Sequence, residues 1–267
     1  MSVGQFSWRR TWAVSRRQFA VLRRSLPKWF DLSVWPLLDV VLWGALGAYV
    51  ATNDAGSRAG TPYLLAGIVL FHVLFQAHIA VATGFMEETW TRNLLNVMAT
   101  PLREAEYALG LAIYGFAKLA MGMVTVTLSA WVVYRFDTSS LGWVLVPIVL
   151  ILMLTGWALA QASIGLLLRY GPSAEILTYG LIFVTMAVSG VFNPVDALPG
   201  ALQPFARLLP TMYAFRALRT VQAGGATPWD DVAVGLVGAV VAAALSLVYV
   251  VHMLRVFRDR GFVTRFS

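Results

Sequence analysis

The chain has 267 residues, of which 59% are apolar and 12% charged, with a mean hydropathy of +0.72. Soluble domains run about 45–50% apolar and about 25% charged, so a soluble fold is excluded and a membrane protein is indicated. The absence of cysteine excludes disulfides, thiolate metal sites and cysteine nucleophiles. A net charge of +7 does not point to nucleic acid, because 11 of the 20 basic residues lie in the two terminal tails, where membrane proteins collect them to set topology.

In chain order, residues 1–31 form an arginine-rich start. Arg9, Arg16 and Arg23 repeat at sevens, as do Arg10, Arg17 and Arg24, while Trp8, Trp12, Phe19, Leu22 and Leu26 recur at steps of three, four and seven. The spacing predicts an amphipathic helix in the headgroup plane, with aromatic anchors on one side and guanidinium groups among lipid phosphates.

Residues 32–254 then hold six apolar stretches, each near the roughly 20 residues a helix needs to cross hydrocarbon. They fall near Leu32–Val50, Tyr63–Ala82, Tyr107–Tyr134, Leu141–Leu168, Ile176–Val191 and Val232–Leu254. No cleavable signal is expected, since the first block is long enough to remain a span. Six crossings put both ends on one side. Fourteen basic residues would face that side against five opposite, so both termini, including the tail 255–267, are expected in the cytoplasm.

Between the second and third spans, Met86, Trp90, Leu94, Val97 and Met98 make an apolar stripe beside polar Glu87, Glu88 and Arg92, and Pro101 disfavours helix at Thr100. A short amphipathic helix is predicted. Its periodicity fits docking in a groove on another protein, and equally packing on the membrane surface. Before the last span, Pro194, Pro199, Pro204 and Pro210 break a segment too apolar for an ordinary loop. That segment reads as a helical hairpin dipping into the outer leaflet, because irregular backbone at that depth needs protein or a cavity around it. Arg207, Arg216 and Arg219 would hold lipid phosphates or an anionic substrate there, or serve as structural anchors.

Few polar residues fall inside spans, and such residues usually face protein or a cavity. Asp39 lies in the first, His72, Gln76 and His78 in the second, Lys118 in the third and Gln161 in the fourth. Asp39 and Lys118 are expected to pair, and the histidines to serve as packing or cavity-lining groups. No metal-ligand spacing and no phosphate loop is visible, and neither Lys28 nor Lys118 follows a glycine-rich run. Nucleotide binding would therefore require a partner.

Glu88, Leu94, Val97, Met98, Thr100, Pro101, Leu102, Glu106 and Gly110 resemble the cytoplasmic-loop signature of the ABC-2 family, the membrane subunits of bacterial ATP-binding-cassette exporters. Arg92 and Asn93 stand where Gly-Thr is usual. Phe192, Asn193, Pro194, Leu198 and Pro199, followed by Pro210, Tyr213 and Arg219, are similar to the segment between the family's last two spans, with Arg216 at an often acidic place.

The resemblance implies an all-α integral membrane protein forming one transmembrane domain over 1–267. It would have six transmembrane helices, the N-terminal amphipathic interfacial helix, a short cytoplasmic coupling helix and a re-entrant outer hairpin before the last span. It also implies a permease subunit of an exporter in the cytoplasmic membrane of a bacterium, not an enzyme by itself. With so few charges inside the spans, the cargo is expected to be amphiphilic: a lipid, glycolipid, polysaccharide or drug.

Implied partners are two copies of a cytosolic ABC ATPase, which bind ATP and Mg, together with a second permease copy or paralogue and membrane lipids. ATPase coupling would fall to Glu87, Glu88, Trp90, Arg92, Leu94, Met98, Thr100 and Pro101. The outer gate would be formed by Asn193, Pro194, Leu198, Pro199, Pro210, Tyr213, Arg216 and Arg219. A pathway between the two permeases is expected beside the first, second and fifth spans, with Asp39, His72, Gln76, Lys118 and Gln161 as candidate pathway or interhelix polar residues. A membrane enzyme acting on lipids, or a passive channel or scaffold, are the alternatives.

Overall fold

The computed structural model describes residues 6–53, 60–136, 142–192 and 194–260. Helices dominate them: α1 (Trp8–Arg24), α2 (Leu26–Asn53), α3 (Gly60–Trp90), α4 (Leu94–Met98), α5 (Glu104–Tyr134), α6 (Leu145–Tyr170), α7 (Glu175–Val188), α8 (Gln203–Leu208), α9 (Pro210–Gln222) and α10 (Trp229–Arg260). No strand occurs among the described residues. This is what a lipid environment imposes, because a helix satisfies its own backbone amides where no water is at hand.

Five helices, α2, α3, α5, α6 and α10, are long and apolar enough to cross a membrane. The stretch expected as the fifth of six spans is α7, whose 14 residues reach only about 21 Å. Helix ends also differ from the hydropathy reading. The N-terminal helix stops at Arg24, where Ser25 is extended, and α2 starts at Leu26 and continues through Pro36. At its far end, α3 runs well past Ala82 to Trp90, because alternating polar residues lower hydropathy without breaking a helix.

α3 is the central helix, packed by α2, α5, α6 and α7. Its crossing with α6 is close: a Cβ on Gly156 would lie 2.6 Å from the Leu74 carbonyl oxygen and 2.7 Å from the Ala77 methyl. Small residues permit such approach in membranes, where packing rather than water exclusion drives association. One apolar core joins α3, α6 and α9 around Leu74, Ile151 and Phe215. A second joins α3, α5, α6 and α10 around Phe85, Tyr107, Leu168 and Phe257.

The second core lies at the end of the bundle that carries the α3–α5 loop. There the last turns of α10 meet the start of α5, with Arg258 2.7 Å from Glu104 and donating to the Leu102 carbonyl at 2.7 Å. α1 packs at this end too, so the N-terminal helix and the end of α10 share it. α7 leaves from here, where Trp90 Nε1 donates to Glu175 at 2.9 Å. It then runs antiparallel to α3, past a contact of 3.0 Å between His78 Nε2 and the Thr178 carbonyl, toward Val191, which abuts Gly67 near the opposite end.

Candidate functional site

The loop end is built around α1. Thr11, Ser15, Gln18 and Leu22, one helical stripe, are buried against the bundle. Ser15 Oγ donates to the Gly110 carbonyl at 2.7 Å, and Gln18 Nε2 to the Gly84 carbonyl at 3.1 Å. Gly110 is required by this approach, since a Cβ there would meet the Val14 Cβ at 2.6 Å and the Thr11 carbonyl oxygen at 2.8 Å. The helix therefore has three faces rather than the expected two. Trp8 and Trp12 are exposed, the polar stripe docks, and Leu22 joins the dock rather than the aromatic side.

The two arginine series also part company. Arg9, Arg16 and Arg23 point outward, whereas Arg10 and Arg17 reach carboxylates. Glu106, fully buried, accepts from Arg10 Nε at 2.8 Å and Nη2 at 2.6 Å, and from the backbone N–H groups of Ser7 at 2.7 Å and Arg103 at 2.9 Å. Its hydrogen bonds to the Glu106 carboxylate hold the Arg10 guanidinium above its ordinary pKa. Glu88, also buried, pairs with Arg17 at 2.7 Å and accepts from Asn93 Nδ2 at 2.8 Å. Lys28, at the start of α2, lies 2.7 Å from Glu87. Charge-assisted, bidentate contacts of this kind are the stronger class of hydrogen bond.

The single amphipathic helix expected over this loop is divided in two. Glu87, Glu88 and Trp90 belong to the end of α3, and the chain breaks at Arg92, whose φ of 54° is left-handed, before α4 begins. That conformation suits glycine, the residue usual at this place in the ABC-2 pattern. The break rotates the register. Leu94 becomes buried and Leu95 exposed, so the stripe expected through Leu94 does not form one outward face. Glu87 and Glu88 likewise turn inward instead of lining a solvent face.

Outward are Trp90, Arg92, Leu95 and Thr100, the Thr100 hydroxyl donating to the Val97 carbonyl at 2.6 Å, with Pro101 exposed beside it. The Met98 side chain lies outside the described residues. Leu95 was not legible from an unbroken 3.6-residue period. A pocket of about 310 Å³ separates α1 from the α4 segment, between Arg10, Arg17, Val97, Pro101 and Tyr107.

Within the bundle, Lys118 does not pair with Asp39. Its Nζ lies 2.8 Å from Asp31, about two turns earlier on α2; hydropathy alone begins the span at Leu32 and so leaves Asp31 outside it. Asp39 instead faces His72 Nε2 at 3.7 Å, beyond hydrogen-bond distance. Gln76, also on α3, packs toward Gly122 of α5. Gln161 ties α6 to α10, accepting from Ser246 at 2.9 Å. Beside Asp31 and Asp39 opens a cleft of about 510 Å³ bounded by α2, α3 and α7.

At the opposite end, Pro194 leads into a one-turn 3₁₀ helix at Val195–Ala197, then α8 and α9. Gln203 Nε2 donates to the Leu198 carbonyl at 3.0 Å, Pro199 is exposed, and buried Pro210 opens α9. Tyr213 donates its hydroxyl to the Arg207 carbonyl at 3.1 Å. Arg216 forms a two-point pair with Asp231 at the start of α10, which ties α9 to α10. Arg219 sits half-buried in the last turn of α9, and Asn193 lies outside the described residues.

Residues 9–223 match the family described as ABC-2 type transporter. The chain is also similar to the inner membrane transport permease YadH of Escherichia coli K12, with 22% identity over 202 residues covering 74% of this chain and 78% of that one. The Shigella flexneri protein of the same name matches to the same extent. The family match spans both the clamped loop end and the α8–α9 segment, and five apolar helices of membrane-spanning length agree with it: the chain belongs to the ABC-2 type transporters, the membrane subunits of ABC transporters.

Proposed function

We propose that this permease exports an amphiphilic substrate across the cytoplasmic membrane, driven by ATP and Mg bound in two cytosolic ABC ATPase subunits. It works as a dimer with a second copy or paralogue. α7, extended by the residues that follow it, makes the sixth crossing. Both chain ends then face the cytoplasm, in agreement with their shared position at the loop end and with the basic tails.

The observation that carries this reading is the clamp at that end. Arg10–Glu106, Arg17–Glu88 and Lys28–Glu87 bind α1 to α5, α1 to α3, and α2 to α3. A push on Trp90, Arg92, Leu95 or Thr100 is delivered to three span helices at once. The α8–α9 hairpin, braced by Arg216 and Asp231, closes the outer end of the pathway. A conformational change needs contacts that differ between two states, and ATP closing the partner subunits supplies them.

The test is co-purification of the full chain with its ATPase. Leu95→Asp should abolish capture of the ATPase while leaving the permease folded. Undiminished capture, or burial of this segment in lipid, would defeat the proposal.

A further inference from the structure

The cleft between α2, α3 and α7 has a definite chemistry. Trp35, Trp43, Phe75, Tyr179 and Phe183 are among its walls, and its polar groups include the carboxylates of Asp31 and Asp39. No lysine or arginine is among the described residues lining it. Asp31 is neutralised by Lys118. Asp39 has no lysine or arginine within ion-pair distance among the described residues, only the imidazole of His72 at 3.7 Å.

Behind Asp39, His72 is buried, and neither ring nitrogen has a hydrogen-bond partner among the described residues; the Nε2 is directed at the carboxylate across that gap. An acidic side chain within a span is costly and is normally paired or turned to a cavity. Here the cavity wall is aromatic, and ring faces attract cations most strongly when the site is desolvated. An anionic headgroup would meet like charge in the same place.

We infer that this cleft takes a lipophilic organic cation, with Asp39 as its counter-charge and the surrounding aromatic rings as its cage. The inference rests on the export reading and names the class of cargo. Its volume of about 510 Å³ lies within the 300–1,000 Å³ usual for drug-sized ligands. Asp39, about two turns beyond Asp31, places the charge within the span, where a cation entering from the membrane interior meets it.

The test uses the full chain with its ATPase subunit in phosphatidylcholine nanodiscs, with equilibrium dialysis corrected for empty discs. Tetraphenylphosphonium and tetraphenylborate, alike in shape and opposite in charge, are titrated separately. Saturable binding of the cation only is expected. Asp39→Asn should weaken it about tenfold, Phe183→Ala several-fold, and Asp39→Glu little.

Gel filtration and ATPase capture by Asp39→Asn show whether that variant is intact, and Asp39→Glu serves as the second variant that retains charge. Equal binding of both ions, as in a crevice filled by lipid chains, or undiminished cation binding by intact Asp39→Asn, would overturn the assignment. Cation binding without ATPase capture would defeat the export reading alone. Capture without cation binding would defeat the cation assignment alone.

Discussion

Replacing Asp31 should destabilise the bundle far more than replacing Asp39, although both are carboxylates facing the same cleft. Lys118 is almost wholly buried, its side chain 3% exposed, and its Nζ is 2.8 Å from Asp31, which is 29% exposed. Breaking a buried pair by removing one partner costs about 3–5 kcal/mol, because it strands the other charge. Water reaching Asp31 through the cleft places Asp31→Asn near the low end, about 3 kcal/mol. Adding Lys118→Met removes the stranded ammonium and leaves mainly a lost hydrogen bond, about 1 kcal/mol, so the double variant should recover roughly 2 kcal/mol.

At about 2–4 °C per kcal/mol for chains of this size, Asp31→Asn should lower the midpoint of thermal unfolding by roughly 6–12 °C, with about 4–8 °C regained on adding Lys118→Met. Asp39→Asn forfeits no hydrogen bond shorter than 3.5 Å among the described residues and should shift the midpoint by no more than about 2 °C. The assay is fluorescence-monitored melting of the purified permease in nanodiscs. If Asp39→Asn falls as far as Asp31→Asn, or if Lys118→Met rescues Asp39→Asn instead, the pairing deduced above is wrong.

Three further outcomes follow, two at the loop end and one at the opposite end. Gly110→Val should insert a side chain against Val14 and the Thr11 carbonyl, at a cost of about 1–3 kcal/mol, and detach α1. Trypsin cleavage at Arg10 and Arg17 in inside-out vesicles should then quicken, with membrane insertion unchanged. Leu94→Asp and Leu95→Asp should behave oppositely: the first buries a charge and lowers the yield of folded permease, and the second leaves yield intact but blocks ATPase capture, both read by gel filtration and pull-down. Arg216→Ala should leave the loop end unaffected while making the α8–α9 segment exchange amide hydrogen faster, since it removes the two-point contact with Asp231; an unchanged exchange rate would show that the prolines alone hold this segment.

Hydropathy made the long helices legible because lipid imposes one rule on every residue of a span: α2, α3, α5, α6 and α10 each satisfy it. The same rule misplaced ends wherever polar residues occur within a helix. Leu26–Asp31 and Thr83–Trp90 are helical because their charged members find partners, Asp31 in Lys118, Lys28 in Glu87 and Glu88 in Arg17, and no one-dimensional average registers a partner. α7 is the converse case. Its composition is as apolar as a span, but Gly190 and Pro194 follow too soon for the helix to continue.

At the site, residue types were legible and directions were not. A seven-residue repeat placed Arg10 and Arg17 on one stripe, yet only the packing of α1 on Gly110 turns that stripe toward Glu106 and Glu88. Leu95 escaped notice for a similar reason. The left-handed turn at Arg92 resets the helical phase, so counting by 3.6 from Trp90 arrives at Leu94, the wrong side of α4.

The placement of these charges bears on how force could pass through the loop end. A lever transmits displacement only if its joints are stiffer than the element it moves, and surface ion pairs are poor joints, contributing about 0–1 kcal/mol. Here the carboxylate of each α1 contact is buried and accepts further hydrogen bonds besides the arginine's: Glu106 from two backbone N–H groups, Glu88 from Asn93. The joints thus differ from ordinary surface pairs where it matters, in desolvation and in the number of donors. The outward residues Leu95 and Thr100 take part in none of the three clamp pairs, so they can change partners without loosening it. On the proposed coupling role, a rigid inner layer beneath a replaceable outer one would let a subunit bind, push and release at this end while α1, α3 and α5 keep their mutual register.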